Sequence, residues 1–180
     1  PSESVKGEIE FDHVSFAYPE AGENVLTDIS FKAKKGQTIA VIGSTGSGKS
    51  TLINLIPRYY DVTKGSVKVD GVDVRDMTQK ELRDKLGYVP QKGVLFSGTI
   101  DSNIRYGKPE ITDAQVKEAA EVAQATEFID TKPEKYESPV SQGGTNVSGG
   151  QKQRLSIARA IAKDPEIFIF DDSFSALDFK

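Results

Sequence analysis

A glycine-rich stretch at residues 43–51 constrains this chain more than any other feature. It reads Gly-Ser-Thr-Gly-Ser-Gly-Lys-Ser-Thr and lies between two largely apolar runs, Thr38–Ile42 and Leu52–Ile56. A short apolar run, a glycine loop and a second apolar run predict a buried strand, a loop and then a helix. The helix is predicted to end near Pro57, because proline cannot continue a helix interior. The chain is therefore expected to contain an α/β unit built around this loop.

The spacing of the glycines and of Lys49 is that of a phosphate-binding loop, G-x-x-x-x-G-K-S. Glycine leaves room for a bulky anion, and the N–H groups of the loop and of the helix N-terminus then point at phosphate oxygens. Lys49 is predicted to contact the β- and γ-phosphates, and the Ser50 hydroxyl to bind Mg²⁺. A glycine-rich turn that binds nothing is the alternative, which the flanking strand and helix patterns disfavour.

Length, charge and composition narrow the possible classes of protein. The 180 residues are enough for one α/β domain with a sizeable core. The net charge is −4, which argues against a surface that coats nucleic acid. There is no cysteine, so disulfides and thiolate metal sites are excluded. No apolar run approaches the roughly 18–20 residues that span a bilayer. The chain begins at Pro1 rather than Met, as expected of a piece of a longer protein.

Alternating apolar residues on both sides of the glycine loop predict antiparallel strands. Residues 8–18 change parity near His13, which indicates a strand with a β-bulge. A second strand is predicted after Gly22, and Asp70-Gly71 is a hairpin turn signal. Tyr18 ends the first strand, and two interpretations stay open for it. It packs at the rim of the core, or it stacks on an adenine ring, which contributes about 1–3 kcal/mol.

Residues 92–162 change to a mostly helical pattern. A capping box begins at Thr112, and a stripe of apolar residues follows it at helical spacing. Ser148-Gly149-Gly150-Gln151 opens the last long helix. That opening is either an ordinary capped helix or a second anion site at a helix N-terminus, and the phosphate loop in the same chain favours the second.

The last apolar run, Ile167–Phe170, is predicted to be a strand buried on both faces. It ends in Asp171-Asp172. In a phosphate-loop protein, carboxylates at the end of such a strand lie where Mg²⁺ and the attacking water are needed.

Taken in order, these motifs resemble the nucleotide-binding domain of an ATP-binding cassette (ABC) transporter, over nearly the whole chain. The resemblance implies an α/β fold with a P-loop NTPase core, a mixed sheet with an N-terminal antiparallel β part, and an inserted helical subdomain. The core is expected at residues 1–91 and 163–180, and the helical subdomain at 92–162. The stretch 98–107 looks like the exporter branch in particular.

The resemblance also assigns roles to single residues. ATP is bound by the adenine-stacking aromatic and by the loop: Tyr18, Ser44, Thr45, Gly46, Ser47, Gly48, Lys49, Ser50 and Thr51. Mg²⁺ is held by Ser50, Gln91 and Asp171, and catalysis is assigned to Lys49, Gln91 and Asp172. The family signature, which acts on the nucleotide of a partner subunit, is Ser148, Gly149, Gly150 and Gln151. The D-loop is represented by Ser175 and Asp178.

Three departures from the family pattern matter. The catalytic Glu that directly follows the Walker B Asp is Asp172 here, and Gln142 stands where a Glu is usual before the signature. The switch His of the family would follow Lys180, and the membrane-spanning half would precede Pro1. The resemblance therefore implies a fragment that is weak or inactive alone, with a degenerate site that works beside a competent one.

The function implied is an ATP-binding subunit that couples ATP binding and hydrolysis to export, at the cytoplasmic face of the cell membrane. The expected partners are ATP, a second nucleotide-binding domain from a different half-transporter, and a transmembrane domain of the same polypeptide; no nucleic acid is expected. One alternative is a regulatory module that binds ATP and hydrolyses little. Another is a soluble ABC ATPase, which would call for coiled-coil insertions or a basic face. The sequence does not name the cargo.

Overall fold

A computed structural model describes residues 6–44, 46–106 and 108–171. The chain divides into two compact units, one ending at Leu86 and the other beginning at Gly87. Among the described residues, no helix has the length and apolar character needed to cross a bilayer.

The first unit is built on an antiparallel four-stranded sheet with the order β2-β1-β3-β4. Its strands are β1 (Ile9–Phe16), β2 (Leu26–Ala33), β3 (Lys64–Val69) and β4 (Val72–Asp73). Phe11 lies opposite Phe31 on β2 and Val67 on β3. The rings of Phe11 and Phe31 stack at a centroid distance of 4.6 Å. Alternating apolar residues thus bury one face of the sheet, as the sequence predicted.

The predicted bulge in β1 is confirmed at His13. The strand register shifts between Phe11 and Val14, and His13 has a φ of 47°. Its backbone N–H donates to the Ser30 hydroxyl at 2.9 Å. Its ring Nδ1 lies 2.7 Å from a carboxylate oxygen of Asp28. Hydrogen bonding to Asp28, and then its charge, raise the pKa of His13 above the usual 6.5.

We expect Asp28→Asn to lower the pKa of His13 toward its ordinary value, because it removes both the charge and the charged acceptor. The raised pKa means that the pair stabilises the fold at low pH and loses that contribution as pH rises through the pKa of folded His13. His13 is the only histidine in the chain, so an NMR titration reports it directly. Asp12→Asn is the matched control, since Asp12 lies 3.8 Å away. An equal shift in both variants would contradict the assignment.

Local turn and capping signals fix the ends of the next elements. The Asp70-Gly71 turn joins β3 to β4, with φ values of 53° and 77°, as its sequence predicted. The buried Asp70 carboxylate also accepts from the Gly7 N–H at 2.7 Å and from Lys85 at 2.8 Å. The two helices of this unit are α1 (Lys49–Leu55) and α2 (Gln79–Asp84). The end of α1 confirms the prediction from Pro57.

The strand predicted at Thr38–Ile42 is wrong. These residues have no regular secondary structure and are exposed, with Ile42 at 93%. Within the described residues, no sheet includes this run. A fully buried strand needs hydrogen-bonded neighbours and cover on both faces. Because none of the described strands pairs with this run, its apolar side chains stay exposed to solvent.

The second unit is mainly helical. Its helices are α3 (Ile100–Arg105), α4 (Asp113–Val122), α5 (Thr126–Asp130) and α6 (Gly149–Ala162). Its short strands pair as β5 (Leu86–Val89) with β8 (Ile167–Phe170), and β6 (Gly98–Thr99) with β7 (Pro139–Val140). Short 3-10 turns lie at 74–76 in the first unit and at 135–137 and 142–144 in the second.

One hydrophobic core holds this second unit together. The predicted stripe of α4 is buried in it: Val116, Ala119, Ala120 and Ala123. Leu155 and Ala158 of α6 are also completely buried there. The prediction that β8 is buried on both faces is wrong, because Phe168 is 45% exposed. In its described sheet β8 pairs with β5 alone. Ile167 and Ile169 are buried, whereas the alternate Phe168 is exposed and Phe170 is half-buried against the core.

Candidate functional site

The glycine loop leads directly into α1 in the first unit. Gly48 is the N-cap of this helix, in the left-handed conformation with φ 90°. A Cβ at Gly48 would lie 3.1 Å from a methyl carbon of Leu26 and 3.3 Å from the Val25 carbonyl oxygen. The backbone angle therefore favours glycine, and the tight space adds to the cost of a larger residue. Gly48 has no side chain with which to cap α1, and the positive end of the helix dipole lies at this end of the helix.

The three residues that follow Gly48 form the first turn of α1 and differ in exposure. Lys49 begins α1 and is half-buried, whereas Ser50 is exposed and Thr51 is buried. The Thr51 hydroxyl lies 2.9 Å from the hydroxyl of Tyr18. The structure thus brings Tyr18 and the phosphate-loop helix together, two elements that the sequence placed in one site. This contact is compatible both with packing of Tyr18 at the rim of the core and with stacking of its ring on an adenine.

In the second unit, two predicted Mg²⁺ ligands follow neighbouring strands. Gln91 comes soon after β5 and is exposed, and Asp171 comes directly after β8. The Asp171 N–H donates to the Val89 carbonyl at 3.0 Å, which fixes the backbone at this end of the strand pair. An amide oxygen, a carboxylate and the hydroxyl of Ser50 are hard oxygen donors, the kind that Mg²⁺ prefers. The donor types therefore fit the implied metal, although no cluster of three acidic or histidine side chains occurs within the described ranges.

The signature residues open α6 as predicted. The Ser148 hydroxyl accepts from the Gln151 N–H at 3.2 Å, and the Gln151 side chain accepts from the Ser148 N–H at 3.3 Å. This capping box confirms the predicted helix start. A Cβ at Gly149 or Gly150 would meet no atom within 4 Å. The first turn of a 14-residue helix therefore presents backbone to open space, a suitable geometry for an anion.

The chain after Gln91 lies along α6. The buried Gln153 side chain donates to the Pro90 carbonyl at 3.2 Å, and the Val94 N–H donates to the Ser156 hydroxyl at 3.2 Å. Between them, a Cβ at Gly93 would lie 2.7 Å from the carbonyl carbon of Lys152. Only glycine allows the two backbones to approach so closely. The segment carrying Gln91 is therefore attached to the signature helix.

Arg159 extends this attachment by one more turn of α6. Its guanidinium donates to the carbonyls of Val94 and Asn103, both at 2.8 Å, and to the Asn103 side-chain oxygen at 3.0 Å. It also lies 5.3 Å from the ring centroid of Phe96 and 5.4 Å from that of Tyr106. Burial lowers the pKa of Arg159. The planar guanidinium holds several N–H donors in a fixed geometry and so satisfies these acceptors together, which a single ammonium group would not.

We expect Arg159→Leu to lower the free energy of unfolding by about 2 kcal/mol, because it leaves carbonyl groups without their donor. Arg159→Lys should recover little, since one ammonium cannot satisfy three acceptors in a fork geometry. Urea unfolding of the three proteins measures the effect. Arg75→Leu is the control, because it removes the same positive charge from an exposed residue of the first unit. Full recovery by lysine would contradict the role of the fork.

Sequence reasoning missed Gly93, Gln153, Ser156 and Arg159. A signal was present for Ser156 and Arg159, because each is a polar residue between apolar neighbours on a predicted helix, whereas Gln153 stands between two charged residues and gives none. Gly93 gives no such local signal, since its need for space comes from a helix about 60 residues later in the chain. The predictions for Thr45, Asp172, Ser175 and Asp178 lie outside the described residues.

Comparisons with known proteins point to one family. A family model described as ABC transporter matches residues 26–175. A Bacillus subtilis protein, named as a multidrug export ATP-binding/permease protein, is 48% identical over 99% of this chain. A Staphylococcus aureus protein with the same description is 47% identical over 100% of it. A solved structure of a bacterial Atm1-family ABC exporter with ATP bound covers 97% of this chain, with a TM-score of 0.90 and 40% identity. The chain spans 31% of the length of each of these three proteins.

Proposed function

The chain belongs to the ABC transporter family, and on that premise we propose that it is the ATP-binding and ATP-hydrolysing part of a membrane exporter. The observation that carries this proposal is the junction of Tyr18 with α1. An aromatic ring that can stack on a base is hydrogen-bonded to the helix that follows the phosphate loop. A base and a phosphate chain can therefore be held by one continuous site, which is what a nucleotide requires.

Each residue has a distinct proposed task in that site. Lys49 pairs with the β- and γ-phosphates, and the backbone N–H groups of the loop surround them. Ser50, Gln91 and Asp171 hold Mg²⁺, which when bound neutralises charge that develops on the phosphates. Asp172 orients the attacking water. These assignments follow the family motifs and the oxygen chemistry of the donors.

The proposed boundary of the helical subdomain, 92–162, is supported by its packing. Helices α3, α4, α5 and α6 all lie within this range. Most of the hydrophobic core of the second unit comes from the same range. We therefore propose the division predicted from the sequence, with residues 1–91 and 163–180 as the nucleotide-binding core.

The open first turn of α6 is proposed to bind the nucleotide of a second nucleotide-binding domain. The capping box leaves the backbone of Gly149 and Gly150 uncovered, and an anion brought to it gains from the helix dipole. The ATP-binding/permease names of the relatives support a transmembrane part in the same polypeptide. We place this domain at the cytoplasmic face of the membrane as part of the same proposal. The transported cargo would be chosen by that transmembrane part.

Gly150→Asp tests this proposal in the complete transporter. We expect ATP turnover to fall at least about tenfold, because a carboxylate placed at the first turn repels the γ-phosphate of the partner's nucleotide. MgATP binding to the variant's own site should not change. Turnover by phosphate release and binding by calorimetry measure the two effects.

Val122→Asp is the matched control for that variant. It adds the same charge at a residue of α4 that is 64% exposed. We expect it to leave turnover unchanged. Loss of MgATP binding by Gly150→Asp would refute the assignment of this helix to the partner's nucleotide.

A second candidate function is favoured by Asp172. This residue is shorter than the Glu that the family uses, so the domain could bind ATP and hydrolyse little, regulating a competent partner site. The two candidate functions differ in the effect that Asp172→Glu, which lengthens this side chain, is expected to have on ATP turnover.

A further inference from the structure

Tyr18 is enclosed by two other aromatic rings in the first unit. Phe16 packs nearly perpendicular to it, with ring centroids 4.9 Å apart and an interplanar angle of 83°. The Tyr60 ring is also nearly perpendicular to the Tyr18 ring, with ring centroids 5.3 Å apart and an interplanar angle of 89°. Phe16 is buried within β1, whereas Tyr60 is 42% exposed. Tyr18 therefore has one partner fixed by the sheet core and one partner at the surface.

The turn that carries Tyr60 is held in place on both sides. Before it, the Tyr59 N–H donates to the Asn54 carbonyl of α1 at 3.1 Å, and Arg58 forms an ion pair with Asp61 at 2.7 Å. After it, the Thr63 N–H and hydroxyl both bind the Ser15 carbonyl of β1. A ring on such a turn has a fixed position relative to both α1 and β1.

These contacts leave the Tyr18 ring little freedom. Its hydroxyl is bound to Thr51, and two perpendicular rings restrict rotation about its side-chain bonds. A side chain that is ordered before binding loses less conformational entropy when the ligand arrives. A ring free to rotate would have to be ordered by the nucleotide itself.

We propose that Tyr60 is a positioning residue that holds Tyr18 in the orientation needed to stack on the base of the nucleotide. This inference rests on the proposed function. Tyr60 acts through Tyr18 and contributes nothing to phosphate binding, so it sets the preference for a ligand with a base over a bare phosphate chain.

The test compares two ligands in the purified protein, MgATP and magnesium tripolyphosphate, which keeps the three phosphates and lacks the base. For Tyr60→Leu we expect the Kd for MgATP to rise about tenfold and the Kd for tripolyphosphate to stay within about twofold. Tyr60→Phe keeps the ring and should bind MgATP as the parent does. Tyr59→Leu is the matched control, since Tyr59 is 49% exposed and its ring lies under the Arg83 guanidinium.

The outcomes separate this inference from the proposed function. Equal losses for both ligands in Tyr60→Leu, or no loss for MgATP, would overturn the positioning role, as would failure of Tyr60→Phe to restore binding. Lys49→Ala should weaken both ligands, and if it weakens neither, the proposed nucleotide site itself is wrong. Circular dichroism checks folding, and Tyr60→Met replaces Tyr60→Leu with the same expectation if the leucine variant does not fold.

Discussion

Replacing Lys49 with alanine is expected to raise the Kd for MgATP by about 100-fold or more. Lys49 starts α1 and is half-buried, so the proposed contact of its ammonium with the phosphates would be partly desolvated. Removing one partner of a desolvated, hydrogen-bonded charge pair costs about 2–5 kcal/mol. Isothermal titration of both proteins with MgATP measures the change.

Lys35→Ala is the control for this experiment. Lys35 is an exposed lysine in the turn before the glycine loop, and its removal changes the net charge by the same amount. We expect it to alter the Kd less than twofold. An equal rise in the Kd for MgATP in both variants would mean that Lys49 acts only through the net charge of the protein.

Replacing Asp172 with glutamate is expected to raise ATP turnover by this subunit roughly 100-fold. A general base must lie within about 2.6–3.2 Å of the water that it orients. The aspartate side chain is one methylene shorter, which withdraws the carboxylate by on the order of 1 Å, and such a misplacement can cost that factor in rate. MgATP binding should not change, because Lys49, Ser50 and Asp171 remain.

The assay uses the complete transporter subunit with and without its proposed sister subunit. Asp172→Asn separates the two explanations of slow turnover. If the aspartate is a slow base, the amide lowers the residual rate further; if the site is degenerate, the residual rate is unaffected. Appreciable turnover by the subunit alone, unchanged in Asp172→Glu, would refute the proposal that this site is degenerate and works beside a competent site on a different subunit.

Features decided by a few neighbouring residues could be predicted from the sequence. The Asp70-Gly71 turn, the capping box at Thr112 and the helix start at Ser148 follow from hydrogen bonds that residues make within three or four positions of themselves. The bulge at His13 is visible as a change of parity in one strand. Family motifs then identified the fold and the phosphate loop.

Features decided by distant partners could not be predicted in the same way. The runs Thr38–Ile42 and Ile167–Phe170 are apolar enough for fully buried strands, but apolarity does not specify which strand pairs with them. The roles of Gly93 and Arg159 depend on contacts between segments about 60 residues apart. Local patterns give the character of a residue, whereas its partner is decided by the topology.

The attachment of the chain after Gln91 to α6 has a consequence for the way in which this unit opens. The Val94 N–H donates to the Ser156 hydroxyl, and the carbonyl of the same residue accepts from Arg159. Deuterium can enter at this amide only when the segment separates from the helix. We therefore expect the hydrogen-exchange rate of the Val94 amide to match the rates of the central amides of α6. The loop and the helix would then open in one cooperative event, rather than the loop opening first.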